Sequence, residues 1–331
     1  MKRFLRRSFI IILLLAIVAL AVIGWIGSSH LISPPRRALQ DYHRERLDDP
    51  AAFGLRITSY TGPGGSPCLL IEPRPGGSKS QRSREIRKAL PQLPPWGEIR
   101  GTIVMLNGHG GRKEDHLPVC ERFCAAGFRC LTPELPGHGD HPSATASFGK
   151  QESAWIEACV DDLHDRFALR PQPVFLYGVS QGGAIALQTA AANPSRWAGV
   201  ISTASFASLD DVIVRSAAEI CPRLAPLAPL GSASVGACAW LRAGFLPSEI
   251  SPARAARQLT MPVMLVHGTQ DDLIPYEHAQ KIYSQISSTR KLLRPVDGAD
   301  HGRVLATDSS RLFAELAAFL IDATRQPQAA R

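Results

Sequence analysis

FLYGVSQGGAIALQTA, residues 175–190, joins a strand-like pattern to a helix-like one at a single serine. An apolar run ends in Gly178, Ser180 stands between glycines two positions to either side, and an alanine-rich helical pattern begins at once. A strand that turns directly into a helix brings two backbones close together, and Gly178 and Gly182 carry no side chains to collide there. The residue at the apex of such a turn takes a strained conformation that lifts its side chain above the sheet edge. The same turn places the amide of Gln181 at a helix N-terminus, where developing negative charge is favoured.

A serine hydroxyl is a weak nucleophile at neutral pH and needs a base that a third group orients. Both partners follow in the sequence. VMLVHGTQDDLIP puts Asp271 just past an apolar strand, and PVDGADHGRVL puts His301 just past another. Asp272 is the rival to Asp271. Asp300 is read as a cap for its own loop, because neighbouring side chains on an extended segment point apart.

The wider pattern has the same character. LRITSY, PCLLIEP, TIVMLNG, FRCLTPE, VFLYGVS, GVISTAS, VMLVHG and KLLRPVD are candidate strands, and helical patterns fall near 113–126, 150–168, 181–193, 276–287 and 306–323. Strand-helix alternation implies an α/β fold with a mostly parallel sheet covered on both faces, whose ligand sites gather at the carboxyl ends of strands. Residues 73–100, rich in Gly, Ser, Pro and Arg, read as a mobile surface insertion. Residues 206–255, rich in Leu, Ala and Pro, interrupt the alternation again.

With these pieces in place, the chain from about 52 to 323 resembles the α/β-hydrolase superfamily, in its monoglyceride-lipase-like and dienelactone-hydrolase-like branches. The resemblance rests on MLNGHGG, ELPGHGDH, GVSQGG, HGTQDDLIP and GADHG. It implies the α/β-hydrolase fold with a small lid insertion at about 206–255. It also implies Ser180 as nucleophile, Asp271 as orienting acid and His301 as base, in the chain order that superfamily uses. By the same resemblance the oxyanion hole maps to the backbone N–H groups of His109 and Gln181, although Asn107-Gly108 stands where many relatives have His-Gly. The HGTxDxxIP spacing favours Asp271 over Asp272. His109, His116, His138 and His141, with Asp115 and Asp140, can also be read as a metal cluster, but no helix or hairpin holds them at ligand spacing. The expectation is therefore no metal and no cofactor.

Composition narrows the partners. The chain has 331 residues and a formal charge of +8. Lys2, Arg3, Arg6 and Arg7 supply four of these charges, and seven basic residues against Glu85 and Glu98 within 73–100 supply five more, so the remainder is close to neutral. That distribution excludes a nucleic-acid-binding surface as the main reading. The basic stretch KSQRSREIRK, residues 79–88, reads as a solvated loop, with contact to anionic head groups as the alternative.

MKRFLRRS is followed by an uncharged apolar run from Phe9 to Gly27, long enough as a helix to cross a hydrocarbon core. It reads as an anchor over 1–30 followed by a linker over 31–51. The preceding positive charges predict a cytoplasmic N-terminus and an extracytoplasmic catalytic domain. Ala19-Leu20-Ala21 offers a cleavage site, and export after signal cleavage is the alternative; apolar residues continuing to Ile26 favour the uncleaved anchor. Residues 324–331 read as a tail. Of seven cysteines, Cys120, Cys124, Cys130 and Cys159 fall in apolar stretches and read as small core residues, whereas Cys221 and Cys238 flank a loop-rich segment and are the expected disulfide.

The expected function is a membrane-tethered serine hydrolase that cleaves a small-molecule carboxylic ester, with an apolar or lipid-like acyl group suited to the apolar 206–255 segment. Amide or peptide cleavage is the alternative. A catalytically silent binding module on the membrane is the third reading, which the presence of Ser180, Asp271 and His301 disfavours.

Overall fold

The computed structural model describes residues 2–169 and 173–325. Nineteen elements follow in chain order: α1 (Lys2–Ile32), α2 (Asp41–Asp48), β1 (Leu55–Thr61), β2 (Pro67–Pro73), α3 (Gln81–Ala89), β3 (Gly101–Leu106), α4 (Leu117–Ala125), β4 (Phe128–Pro133), α5 (Glu152–Phe167), β5 (Val174–Val179), α6 (Gln181–Ala192), β6 (Gly199–Thr203), α7 (Leu209–Ile220), α8 (Ala228–Ala243), α9 (Pro252–Ala255), β7 (Val263–Gly268), α10 (Glu277–Gln285), β8 (Lys291–Val296) and α11 (Ser309–Arg325). The strands form one sheet in the order β1-β2-β4-β3-β5-β6-β7-β8. β1–β2 and β2–β4 pair antiparallel, and every pairing from β4 onward is parallel.

Central strands of such a sheet are covered on both faces, which is why β3, β4 and β7 are uninterrupted buried runs rather than alternating ones. On one face Ile103, Phe175 and Met264 pack with Phe123 of α4 and Phe313, Leu316 and Leu320 of α11. On the other, Val104, Leu176 and Val263 pack with Ile156 and Val160 of α5, Ile185 of α6 and Ile282 of α10. The register aligns Leu106 with Gly178, Val179 with Thr203 and Gly268 with Val296, so β3, β5, β6, β7 and β8 end along one edge of the sheet.

The structure departs from three expectations. Residues 81–89 are a helix packed on α4, with Ser83 and Ile86 buried and Arg87 donating to the carbonyls of Ala125 and Pro94, rather than a solvated loop. Residues 31–51 are not a free linker. α2 lies against the domain, and Arg46 pairs with Glu121 at 3.1 Å with both side chains buried. Cys221 and Cys238 are both unbonded thiols. Cys221 caps the end of α7, whereas the Cys238 sulfur faces Gly24 of α1, so the two do not meet. Cys120, Cys124, Cys130 and Cys159 are buried in the core. Of the expected tail, residues 326–331 lie outside the described residues.

Arg3–Ile32 is long and apolar enough to cross a membrane, and most of its side chains are exposed. Its one packed face meets α8, where Gly27 gives room to Val235 and Ser234 Oγ donates to the Leu20 carbonyl at 2.6 Å. Arg242 of α8 lies 4.2 Å over the Trp25 ring and donates to Ser28 and Ser29.

Candidate active site

The turn between β5 and α6 has the geometry its glycines allow. Ser180 sits at φ 55° and ψ −117°. A Cβ on Gly178 would strike the backbone of Gly182, and one on Gly182 would strike the carbonyl of Leu106, so neither position accepts a side chain. The Ser180 amide donates to the Thr203 carbonyl at 2.7 Å and the Ser180 carbonyl accepts from Ala184, which ties the corner to β6 and to its own helix. Strain of this kind persists only where surrounding bonds fix it.

The loops after β7 and β8 bring two further side chains to the serine. His301 Nε2 lies 3.0 Å from Ser180 Oγ, and His301 Nδ1 lies 2.7 Å from Asp271 Oδ2. Asp271 is buried, and its other oxygen accepts the Ile274 amide at 2.8 Å. His267 Nε2 donates to the Ile274 carbonyl at 2.7 Å and stands 3.4 Å from Asp271 Oδ2. Burial alone would raise the pKa of Asp271. The hydrogen bonds from His267, His301 and the Ile274 amide outweigh it and hold the carboxyl below its ordinary range. The imidazole of His301 is thus placed to accept a proton from the hydroxyl on one side while a carboxylate faces its other nitrogen.

Asp272 and Asp300 stand outside this relay. Asp300 Oδ1 accepts the Arg303 amide at 2.9 Å, a cap on its own turn.

His109 lies in the loop after β3. A Cβ on Gly108 would sit 3.5 Å from the Ser180 Cβ, so this loop runs beside the serine. Gln181 is the first residue of α6. Neither backbone amide, of His109 or of Gln181, meets an acceptor among the described residues. Behind the loop, the buried Glu134 carboxylate accepts the Lys113 amide at 2.9 Å and lies 3.1 Å from Lys113 Nζ. Among the described residues no group of three or more His, Cys, Asp or Glu side chains is placed to hold a metal ion.

An apolar cluster borders the site. Ala184 lies one turn beyond Ser180 and Ile274 three residues beyond Asp271, and they pack with Phe148, Phe206, Phe245 and Ile32. Phe148, also at positive φ, stacks its ring 5.9 Å from that of His109. Ile32, from the end of α1, and Arg37 and His267 are site neighbours that sequence reasoning did not pick out. Asp115 entered it only as a candidate metal ligand.

The sheet order and the strand-turn-helix corner define an α/β-hydrolase fold. The family described as serine aminopeptidase, S33, matches residues 97–240, a span that holds Ser180 and ends before Asp271 and His301. YqkD of Bacillus subtilis, described as uncharacterized, is 26% identical over 186 residues, 56% of this chain and 59% of that protein, so the chain spans about three fifths of this relative's length. The monoacylglycerol lipase of Mycolicibacterium smegmatis is 24% identical over 239 residues, 62% of this chain and 83% of that protein. Among solved structures, the Pyrococcus furiosus esterase Pf2001 matches in fold with a TM-score of 0.62 at 16% identity, over 88% of this chain and 98% of that one. The chain thus has the α/β-hydrolase fold, and over 97–240 it is similar to the serine aminopeptidase, S33, family.

Proposed function

We propose that the chain is a membrane-tethered serine esterase that cleaves carboxylic esters with an apolar, lipid-like acyl group. The observation that carries this reading is the continuous Ser180–His301–Asp271 contact, 3.0 Å and then 2.7 Å, on a strained corner at the strand ends. In this reading Ser180 Oγ attacks the ester carbonyl carbon as its proton passes to His301 Nε2. Asp271 keeps the proton of the imidazole on Nδ1 and stabilises the imidazolium that forms. The negative charge on the former carbonyl oxygen is held by the amides of His109 and Gln181, the second of which also carries the positive end of α6. Collapse expels the alcohol, which takes the proton from His301. Water then enters, gives a proton to His301 and attacks the acyl carbon; the bond to Ser180 Oγ breaks as Oγ takes the proton back from His301, and the acid leaves.

The apolar preference is supported by the cluster of Phe148, Phe206, Phe245 and Ile274 beside Ser180, and tethering by the exposed apolar surface of α1. The basic residues before the apolar run orient the N-terminus toward the cytoplasm and the hydrolase domain away from it. Amide cleavage is the second reading, favoured by the aminopeptidase description of the family that matches 97–240. Parallel assays on p-nitrophenyl esters of graded chain length and on aminoacyl p-nitroanilides separate the two. The ester reading predicts turnover that rises from acetyl to medium acyl chains. Efficient release from the anilides with weak ester turnover contradicts it.

A further inference from the structure

We propose that the end of α1 and the Arg36-Arg37 strap after it are a positioning element of the active site, holding the 108–110 loop that carries the His109 amide. This rests on the esterase reading and extends it to residues that the hydrolase motifs do not contain. A membrane anchor needs only a flexible connection to its enzyme. Here the connection is built into the loop beside the nucleophile.

The contacts run in sequence. The Leu31 carbonyl, in the last turn of α1, accepts from His109 Nε2 at 3.0 Å. The Ile32 side chain is fully buried in the cluster beside Ser180, and its carbonyl accepts the Ala146 amide at 2.8 Å. Arg37 Nε donates to the Gly110 carbonyl at 2.7 Å, and its Nη2 pairs with Asp115 Oδ2 at 2.5 Å. The Arg37 carbonyl in turn accepts from Arg112 Nη1 at 2.7 Å. Asp115 joins the strap to the loop, because Oδ2 also accepts the Arg112 amide at 3.0 Å while Oδ1 lies 3.0 Å from His43 Nε2 of α2. Arg36 donates to the carbonyls of Gly139, His141 and Ser143, which fixes the neighbouring loop. Gly110 lies at φ 69°, so the loop turns sharply just after His109 and its course depends on such external bonds.

None of these bonds touches the hydroxyl, imidazole or carboxylate of the relay. Loss of the strap therefore leaves the relay in place and loosens one oxyanion donor. A donor aimed at charge that exists only in the transition state contributes to kcat and little to KM. A rigid bidentate guanidinium suits the task, since Gly110 and Asp115 are held at once.

The test uses the full chain in detergent micelles. Arg37→Ala, Arg37→Lys, His109→Phe and Ser180→Ala are compared with wild type for kcat and KM on p-nitrophenyl butyrate and for thermal midpoint. We expect Arg37→Ala to lower kcat roughly ten- to a hundredfold with KM within about threefold, the scale set by misplacing a catalytic donor. Arg37→Lys should recover part of the loss, because its ammonium reaches one of the two acceptors. His109→Phe keeps the stack on Phe148, loses the bond to Leu31, and should show the same split. Wild-type kcat in Arg37→Ala overturns the proposal. So does a loss that appears in KM, or one that tracks the melting temperature and is no smaller in the lysine variant. Ser180→Ala is the separate control: if it keeps turnover, the esterase reading itself fails, whatever the Arg37 variants do.

Discussion

Asp271 divides its two oxygens between Ile274 and His301: Oδ1 accepts the Ile274 amide at 2.8 Å and Oδ2 faces His301 Nδ1 at 2.7 Å. One oxygen builds the turn and the other faces the imidazole. Asp271→Asn can keep its carbonyl oxygen on Ile274, which turns its NH₂ toward His301 and forces the tautomer that cannot accept from Ser180. We expect a fall in kcat of about 10⁴-fold with the melting temperature little changed. Asp271→Ala loses the turn as well and should melt lower. Comparable melting of the two variants would show that the Ile274 bond has no structural role.

Gly182 and Gly231 predict opposite responses to one added methyl group. At Gly182 a Cβ meets the Leu106 carbonyl, whereas at Gly231, in α8, nothing lies within 4 Å. Gly182→Ala should cost more than about 3 kcal/mol, because backbone on both sides must shift. Gly231→Ala should stabilise by up to about 1 kcal/mol through helix propensity. Urea unfolding of the two variants measures both signs.

Lys113 and Glu134 are both buried, and the carboxylate also accepts the Lys113 amide. Glu134→Ala leaves the Lys113 amide without its acceptor and the ammonium with Glu114, at 2.7 Å, as its near partner, and should cost about 1–3 kcal/mol. Glu134→Gln retains an acceptor for the amide and should cost less. Equal losses in denaturant titrations would contradict a stabilising role for the Lys113 amide bond.

Burial lowers the pKa of each of His116, His138 and His141 to about 4. An unfolded histidine titrates near 6.5, so between about 6.5 and 4 the unfolded chain binds protons that the folded chain refuses. Stability contributed by these neutral rings is complete above about 6.5 and falls as pH drops toward 4. The Asp271 contribution, with its lowered pKa, persists through that window and is lost only below the ordinary carboxylate range. Unfolding at about pH 5 should be accompanied by net proton uptake, and His141→Asn should reduce that uptake by about one proton. A stability flat from pH 7 to 4.5 would contradict this.

Much of the site was legible because its constraints are local. Gly178 and Gly182 are dictated by backbones that converge within a few residues, and Asp271 and His301 each follow an apolar strand whose end fixes where they stand. The contacts of Arg37, His43 and Asp115 join segments more than seventy residues apart through polar side chains, and no periodicity announces such bonds. α3 was hidden because only Ser83 and Ile86 of its nine residues are buried, beneath a run of basic side chains. Cys221 and Cys238 were misread because spacing says nothing of direction: one caps α7 and the other faces α1.

The proposed esterase requires that His301 activate Ser180 as a nucleophile. A fluorophosphonate probe, followed by peptide mass mapping of the full chain in detergent, measures it directly. A single adduct on Ser180 is expected, lost in Ser180→Ala and strongly slowed in His301→Ala. Labelling that is absent from the wild type, that falls on another serine, or that proceeds unchanged without His301 would contradict it.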